Sequence, residues 1–263
     1  MNLAGRSVLL TGATGGLGHA IARRLRAAGA ELVLTGRRAD LLAPLAAETH
    51  ARSLAVDLAD ADAVERLAED CAGVDVLVSN AGLPGSGLLS SFSVEEIDRA
   101  LAVNLRAPMV LARRLVEAMV ERRSGHLVFM SSLAGKVGTP RSPVYSATKF
   151  GLRGFAQSMR EDLRPAGVGV SAIFPGFVRD AGMFHDTGAK LPPGVGTVSP
   201  EAVADAVVRA IERNRGEVDV APAGLRAGAK AAGLAPDLAA TVSRRLGGQR
   251  IAEDHVSAQT TKR

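Results

Sequence analysis

Tyr145 and Lys149 stand four residues apart in the run Tyr145-Ser146-Ala147-Thr148-Lys149. On a helix that spacing places a phenol and an ammonium on one face, one turn apart. Nearby positive charge favours phenolate, which makes the pair a usable acid/base near neutral pH. An ammonium about 4–5 Å away, at an effective dielectric of ~20, contributes about 3–4 kcal/mol. The phenol is therefore expected to titrate below its ordinary value of ~10, before opposition from burial. Ser132, thirteen residues earlier, follows the apolar run 126–130. A hydroxyl just beyond the end of a strand is placed to hydrogen-bond a reacting carbonyl oxygen.

A second stretch, Thr11-Gly12-Ala13-Thr14-Gly15-Gly16-Leu17-Gly18, lies between an apolar run and a helical one. Glycines there let the backbone turn tightly and approach a pyrophosphate, whose charge meets free N–H groups at the helix N-terminus. The candidate contacts are Gly12, Thr14, Gly16, Leu17 and Gly18. At the end of the next strand an acidic residue would bind a ribose 2′-hydroxyl, whereas arginine accepts a 2′-phosphate. Here Leu32-Val33-Leu34-Thr35 runs into Gly36-Arg37-Arg38 with no carboxylate. Arg37 reads as the 2′-phosphate ligand and Arg38 as its support, so NADP is expected in preference to NAD. The competing reading is a solvated basic pair at a helix start.

Alternating strands and helices must hold these residues. Short apolar runs at 7–10, 31–35, 54–56, 74–79, 126–130, 168–174 and 217–220 read as seven strands. Helical stretches at 17–28, 40–49, 61–71 and 144–163 follow the pattern. Ser93-Val94-Glu95-Glu96 is a capping box that opens a helix to about 122, bent between Asn104 and Pro108. Ser199-Pro200 launches another, to about 214. Strands this apolar, each followed by a helix, imply a parallel sheet covered on both faces. The expected fold is α/β: a single doubly wound Rossmann-type domain over 1–221, its seven-stranded sheet mostly parallel. Residues 222–263 form an Ala-rich helical tail with Leu238, Val242 and Leu246 on one face, expected to pack on the domain or on a partner subunit. The glycine- and proline-rich loop 179–198 is expected to act as a lid. Leu133, Ala134, Phe177, Met183, Phe184 and Leu191 suggest an apolar substrate pocket beneath it.

Taken in order, these motifs resemble the short-chain dehydrogenase/reductase family over about 7–220. The family's Thr-Gly-x-x-x-Gly-x-Gly turn falls on Thr11, Gly12, Gly16 and Gly18, and its Asp after strand three on Asp57. Its Asn-Ala-Gly falls on Asn80, Ala81 and Gly82, its helix Asn on Asn104, its Ser on Ser132 and its Tyr/Lys pair on Tyr145 and Lys149. Its Pro-Gly is Pro175-Gly176, followed by Val178. The resemblance implies that Asp57 and Leu58 hold adenine and that Asn80, Ala81 and Gly82 line the cofactor channel. It places Pro175 and Gly176 at the cofactor too, with Val178 against the nicotinamide amide. It implies that Tyr145 is general acid in reduction and general base in oxidation, that Ser132 orients the carbonyl and that Lys149 holds the nicotinamide ribose. Asn104 would support a water link from Lys149 to solvent. The thirteen-residue spacing favours Ser132 over its neighbour Ser131. Asp180 stands where the family often has Thr, and no role is carried onto it. Gly15 and Gly18 also fit Thr-Gly-x-x-Gly-x-x-Gly, the turn of the epimerase/dehydratase branch, whose chains are usually longer.

Composition removes other classes. A chain of 263 residues, 47% hydrophobic, is enough for one α/β domain and too apolar for a disordered one. Its 32 basic and 27 acidic residues leave +5, without the dense basic blocks of a nucleic-acid arm. No Cys/His spacing suggests a metal site. The single cysteine, Cys71, excludes an intrachain disulfide and points to a reducing compartment, the cytoplasm. The N-terminus reaches a polar turn after Val8-Leu9-Leu10, so neither a signal core nor a membrane span is expected. The expected protein is a homodimer or homotetramer that moves hydride between NADP(H) and a carbonyl or secondary alcohol with a hydrophobic body. An epimerase or dehydratase, and a non-enzymatic NADP-binding sensor, are the alternatives. Arg244 and Arg245 leave a membrane-surface role for the tail open.

Overall fold

The structure, a computed structural model, describes residues 1–185, 191, 195–235, 237 and 241. Seven strands form one sheet: β1 (Ser7–Thr11), β2 (Glu31–Gly36), β3 (Arg52–Ala55), β4 (Val76–Ser79), β5 (Gly125–Met130), β6 (Val168–Pro175) and β7 (Glu217–Val220). Their order is β3-β2-β1-β4-β5-β6-β7, and every pairing is parallel rather than mostly so. Every residue of β4, β5 and β6 is buried, as apolar strands covered on both faces require. Alternate residues serve opposite layers. Val8, Leu10, Val76, Val78, Val128 and Met130 pack with α1 (Gly16–Ala27), α2 (Ala39–Thr49) and α8 (Pro200–Glu212). Leu9, Leu77, Leu127 and Phe129 face α3 (Ala61–Asp70), α5 (Ala107–Glu121) and α6 (Pro143–Leu163).

The strand order reverses between β1 and β4, which opens a crevice beyond their C-terminal ends, the usual ligand position in such sheets. Around that crevice the local signals hold. Ser93 Oγ accepts from Glu96 N at 3.2 Å and Glu96 Oε2 from Ser93 N at 2.9 Å, the reciprocal cap that starts α4 (Val94–Leu101). The expected bend is a π turn, Ala102–Arg106, between α4 and α5. Pro108 cannot donate to the residue four back, so the helix widens there and Asn104 falls inside the turn.

Three expectations shift. β3 begins at Arg52, not Leu54, because its pairing with Val33–Gly36 sets its start and its residues are mostly exposed. β4 begins at Val76, not Val74. The loop after β6 contains a short helix, α7 (Gly182–His185), and a parallel bridge between Val178 and Val198 closes its base. In the tail, α9 (Ala223–Leu234) is helical, while Leu238, Val242 and Leu246 lie outside the described residues.

Candidate active site

β1 delivers the chain into the crevice through Thr11, whose hydroxyl accepts from Asn80 N and Ala81 N, both at 3.1 Å. Asn80 Nδ2 donates to the carbonyls of Thr11 (3.1 Å) and Gly12 (3.2 Å). The Asn80 side chain thus stitches β4 to the glycine turn. Gly12 turns at φ +69° with the Ala81 backbone against it, where a Cβ would lie 2.7 Å from Ala81 Cα. At Gly18 a Cβ would come within 2.3 Å of the Gly12 carbonyl oxygen. Gly15 meets nothing closer than 3.7 Å. The turn therefore needs glycine where Thr-Gly-x-x-x-Gly-x-Gly has it, and does not need it at the position special to the epimerase pattern. No side chain caps α1, so its first-turn N–H groups face the crevice for an anion. Arg37 and Arg38 are exposed just past β2, and Thr14 packs beside Gly36. This cradle and its donor set fit a dinucleotide.

β5 ends at Met130 and hands on to Ser131 and Ser132, which the structure separates by role. Ser131 Oγ, buried, donates to the backbone carbonyl of Lys149 at 3.0 Å. Ser132 is the one that hydrogen-bonds the Tyr145 phenol. Its Oγ also accepts from Ala134 N at 3.2 Å, capping the turn Leu133–Gly135. Lys149 Nζ is buried, lies 5.5 Å from the Tyr145 ring centroid and donates to the Met130 carbonyl at 2.8 Å. The expected electrostatics are corrected here. Burial pushes the phenol above its ordinary value, and the Ser132 hydrogen bond only partly opposes it. Burial also brings the Lys149 ammonium down to about 8. The ammonium is aimed at the Met130 carbonyl rather than the phenol oxygen, so the attraction expected from helix spacing is not what dominates.

Asn104 Oδ1 accepts from Leu83 N at 2.6 Å and its Nδ2 donates to Leu83 O at 3.0 Å, which pins the segment after Gly82. Gly82 brings the group together: a Cβ there would lie 3.5 Å from Lys149 Nζ and from Met183 Cε, and 3.6 Å from Asn104 Oδ1. Asp57 Oδ2 accepts from Arg99 Nη2 at 2.9 Å, and its Oδ1 accepts from Ala59 N at 3.0 Å. Burial pushes this carboxyl up, but those partners hold it below the usual range. Leu58 is buried in the core beside it. Gly176 N donates to Val220 O at 2.9 Å, and Pro175 and Val178 flank it at the end of β6.

Among the apolar pocket residues, Leu133 lies against Gly176, the Phe177 and Phe184 rings meet at 5.1 Å with their planes tilted by 58°, and Met183 reaches Gly82. Ala134 and Leu191 are half-buried. Ala181 lies over Gly16, where a Cβ would come within 2.6 Å of the Ala181 Cβ, so the segment after β6 packs directly on the glycine turn. Asp180 turns at φ +63° and pairs with Arg179 at 3.3 Å. Among the described residues no group of His, Cys, Asp and Glu could hold a metal, and no helix is long and apolar enough to cross a membrane. Residues that reasoning from motifs missed are Arg99, Lys136, Arg153 and Glu217, whose partners are all distant in sequence; Thr11 is legible as part of the glycine motif, but its bonds to Asn80 and Ala81 are not.

A sequence profile of the short chain dehydrogenase family matches residues 6–192. The ketoacyl reductase HetN of Nostoc sp. (strain PCC 7120) is 40% identical over 227 residues, 83% of this chain and 79% of the relative. The 3-oxoacyl-(acyl-carrier-protein) reductase FabG of Rickettsia prowazekii is 30% identical, over 68% of this chain and 75% of that one. A solved metagenomic short-chain oxidoreductase in complex with NADP is similar at a TM-score of 0.71 and 34% identity, covering 84% of this chain and 98% of the other.

Proposed function

The chain belongs to the short-chain dehydrogenase/reductase family and is an oxidoreductase acting on CH–OH and C=O groups, and within that class we propose an NADPH-dependent reductase of carbonyl compounds with a hydrophobic body. The observation that carries this reading is the meeting of Ser132, Tyr145 and Lys149 beside the glycine turn. When bound, the nicotinamide supplies hydride in reduction and accepts it in oxidation. The chain's own residues handle the proton and the geometry. Tyr145 gives its phenolic proton to the carbonyl oxygen, and in the reverse direction takes it back. Ser132, already bonded to the phenol, orders that oxygen. Lys149, charged below about pH 8, steadies the developing phenolate.

Arg37 and Arg38, exposed with no carboxylate at the end of β2, support preference for the 2′-phosphate. The apolar residues Leu133, Phe177, Met183 and Phe184 support an acyl or other hydrophobic substrate body. The relatives' names make 3-oxoacyl thioesters the first compounds to try. We also infer a homo-oligomer in a reducing compartment, where buried Cys71 stays a thiol. The test is NADPH and NADH oxidation by the purified protein against a panel of 3-oxoacyl thioesters, ketones and aldehydes. Turnover with NADPH that Tyr145→Phe abolishes is expected. Full activity in Tyr145→Phe would remove the assigned acid/base.

A further inference from the structure

Four charged side chains gather behind the candidate site. Lys136 follows the one-turn helix that Ser132 caps, four residues beyond it. Its ammonium is buried, 2.8 Å from Glu217 Oε2, 2.5 Å from Asp219 Oδ1 and 4.0 Å from the centre of the Phe174 ring. Arg153 lies on α6 four residues beyond Lys149, and its Nε is 2.7 Å from Glu217 Oε1. Gln157 Nε2 donates to the same oxygen at 2.8 Å, and the Arg153 guanidinium lies 5.7 Å from the same ring.

Glu217 is thus held by the loop that carries Ser132 and by the helix that carries Tyr145 and Lys149. The contacts close a ring: Ser132 to Lys136 along the loop, through Glu217 to Arg153, back along α6 to Tyr145, and from its phenol to Ser132. Two cations and two anions leave no net charge to bury. Apolar side chains of similar size would often fill such a place at no loss of stability. What a charged cluster adds is a fixed geometry, and a hydroxyl on a loop needs one, because misplacement by about 1 Å can cost about a hundred-fold in rate.

We propose that Lys136, Arg153, Glu217 and Asp219 form a positioning cluster that sets Ser132 against the Tyr145–Lys149 pair, with Glu217 as the shared anchor. The inference rests on the acid/base reading of those three residues. None of the four touches the reacting atoms; they act through the loop and the helix.

The experiment compares Lys136→Met and Glu217→Gln with the intact protein, alongside Tyr145→Phe. Three quantities are read: kcat for carbonyl reduction, NADPH affinity, and the titration of Tyr145 by phenolate absorbance, unambiguous because it is the only tyrosine. Both cluster variants are expected to lose about ten- to a hundred-fold in kcat while holding NADPH within about two-fold. The Tyr145 midpoint should rise, since the Ser132 hydrogen bond that lowers it is loosened. Lys136→Arg, which keeps the charge, should recover part of kcat. A purely structural role would lower melting temperature yet leave kcat and the tyrosine midpoint unchanged, and that result overturns the proposal. If Lys136→Met fails to fold, the near-isosteric Glu217→Gln supplies the same readouts. Full turnover by Tyr145→Phe would instead defeat the acid/base reading, so the two failures are distinguishable.

Discussion

Burial sets the protonation of the two groups that matter most. It holds the Tyr145 phenol above its ordinary value and brings the Lys149 ammonium down to about 8. Reduction needs a protonated phenol and a charged ammonium. As pH rises through about 8 the ammonium is lost first while the phenol keeps its proton. The kcat/KM for reduction, which reports the free enzyme, should therefore be level below that point and fall above it. A profile level to well beyond the Lys149 titration would show that its charge is not required. Arg37 yields a second prediction at this scale. Charge-assisted contacts to phosphate are worth about 1.5–3 kcal/mol each, roughly ten- to a hundred-fold in affinity. Arg37→Ala should lose that much NADPH affinity and leave NADH binding unchanged; equal affinity for both cofactors in the intact protein would refute the assignment. Types and short spacings made the meeting of Tyr145 and Lys149 on one helix readable from the chain alone. The direction of the phenol shift was not readable, because it depends on how much of the fold covers Tyr145.

The glycine turn shows how far a local signal reaches at the scale of an element. Its glycines look equivalent as letters, yet their surroundings differ. A methyl group at Gly18 would drive into the Gly12 carbonyl at 2.3 Å, whereas one at Gly15 would make only ordinary contact. Gly18→Ala is expected to lower the stability of the cofactor-free chain by about 1–3 kcal/mol through overpacking, and Gly15→Ala to change it by less than about 0.5 kcal/mol. Urea unfolding of both variants checks this; equal effects would mean that the β1–α1 packing is looser than described. Helix starts at Ser93 and Ser199 were legible because a cap is written within four residues. The start of β3 was not, since an edge strand lacks the apolar run that marks an inner one. Likewise Arg99 at Asp57 and Lys136 at Glu217 are meetings between separate elements, with no local pattern to announce them.

Seen whole, the sheet separates its working end from a buried group at the opposite end that sets a limit on acid tolerance. His126, second residue of β5, is buried with Nε2 2.8 Å from Ser171 Oγ. Ser171 gives its own proton to the Arg215 carbonyl at 2.5 Å, so it must accept from His126, and the imidazole is neutral with its proton on Nε2. Burial, then the charges of the N-terminus and Arg160, push its pKa from 6.5 down to about 3. In the unfolded chain the same ring protonates near 6.5. The unfolded state therefore binds the extra proton throughout the interval between those values, and stability falls as pH drops through it. One group changes stability by at most about 1.4 kcal/mol per pH unit, so roughly 2–3 kcal/mol should go over two units below 6.5. That is a large share of the ~5–15 kcal/mol that holds a domain folded. Asp57, Asp75 and Glu217 also favour the folded state when ionised, but their losses begin only near the carboxylate range. The window just below 6.5 therefore belongs to the histidines: burial lowers His19 from 6.5 as well, and His126, the more deeply buried of the two, carries the larger share. Urea unfolding across that window should show a steady decline in the intact protein and a flatter one in His126→Gln, whose amide can still donate to Ser171. If the two slopes coincide, the imidazole takes up its proton in the folded state without penalty, and acid unfolding must begin elsewhere in the chain.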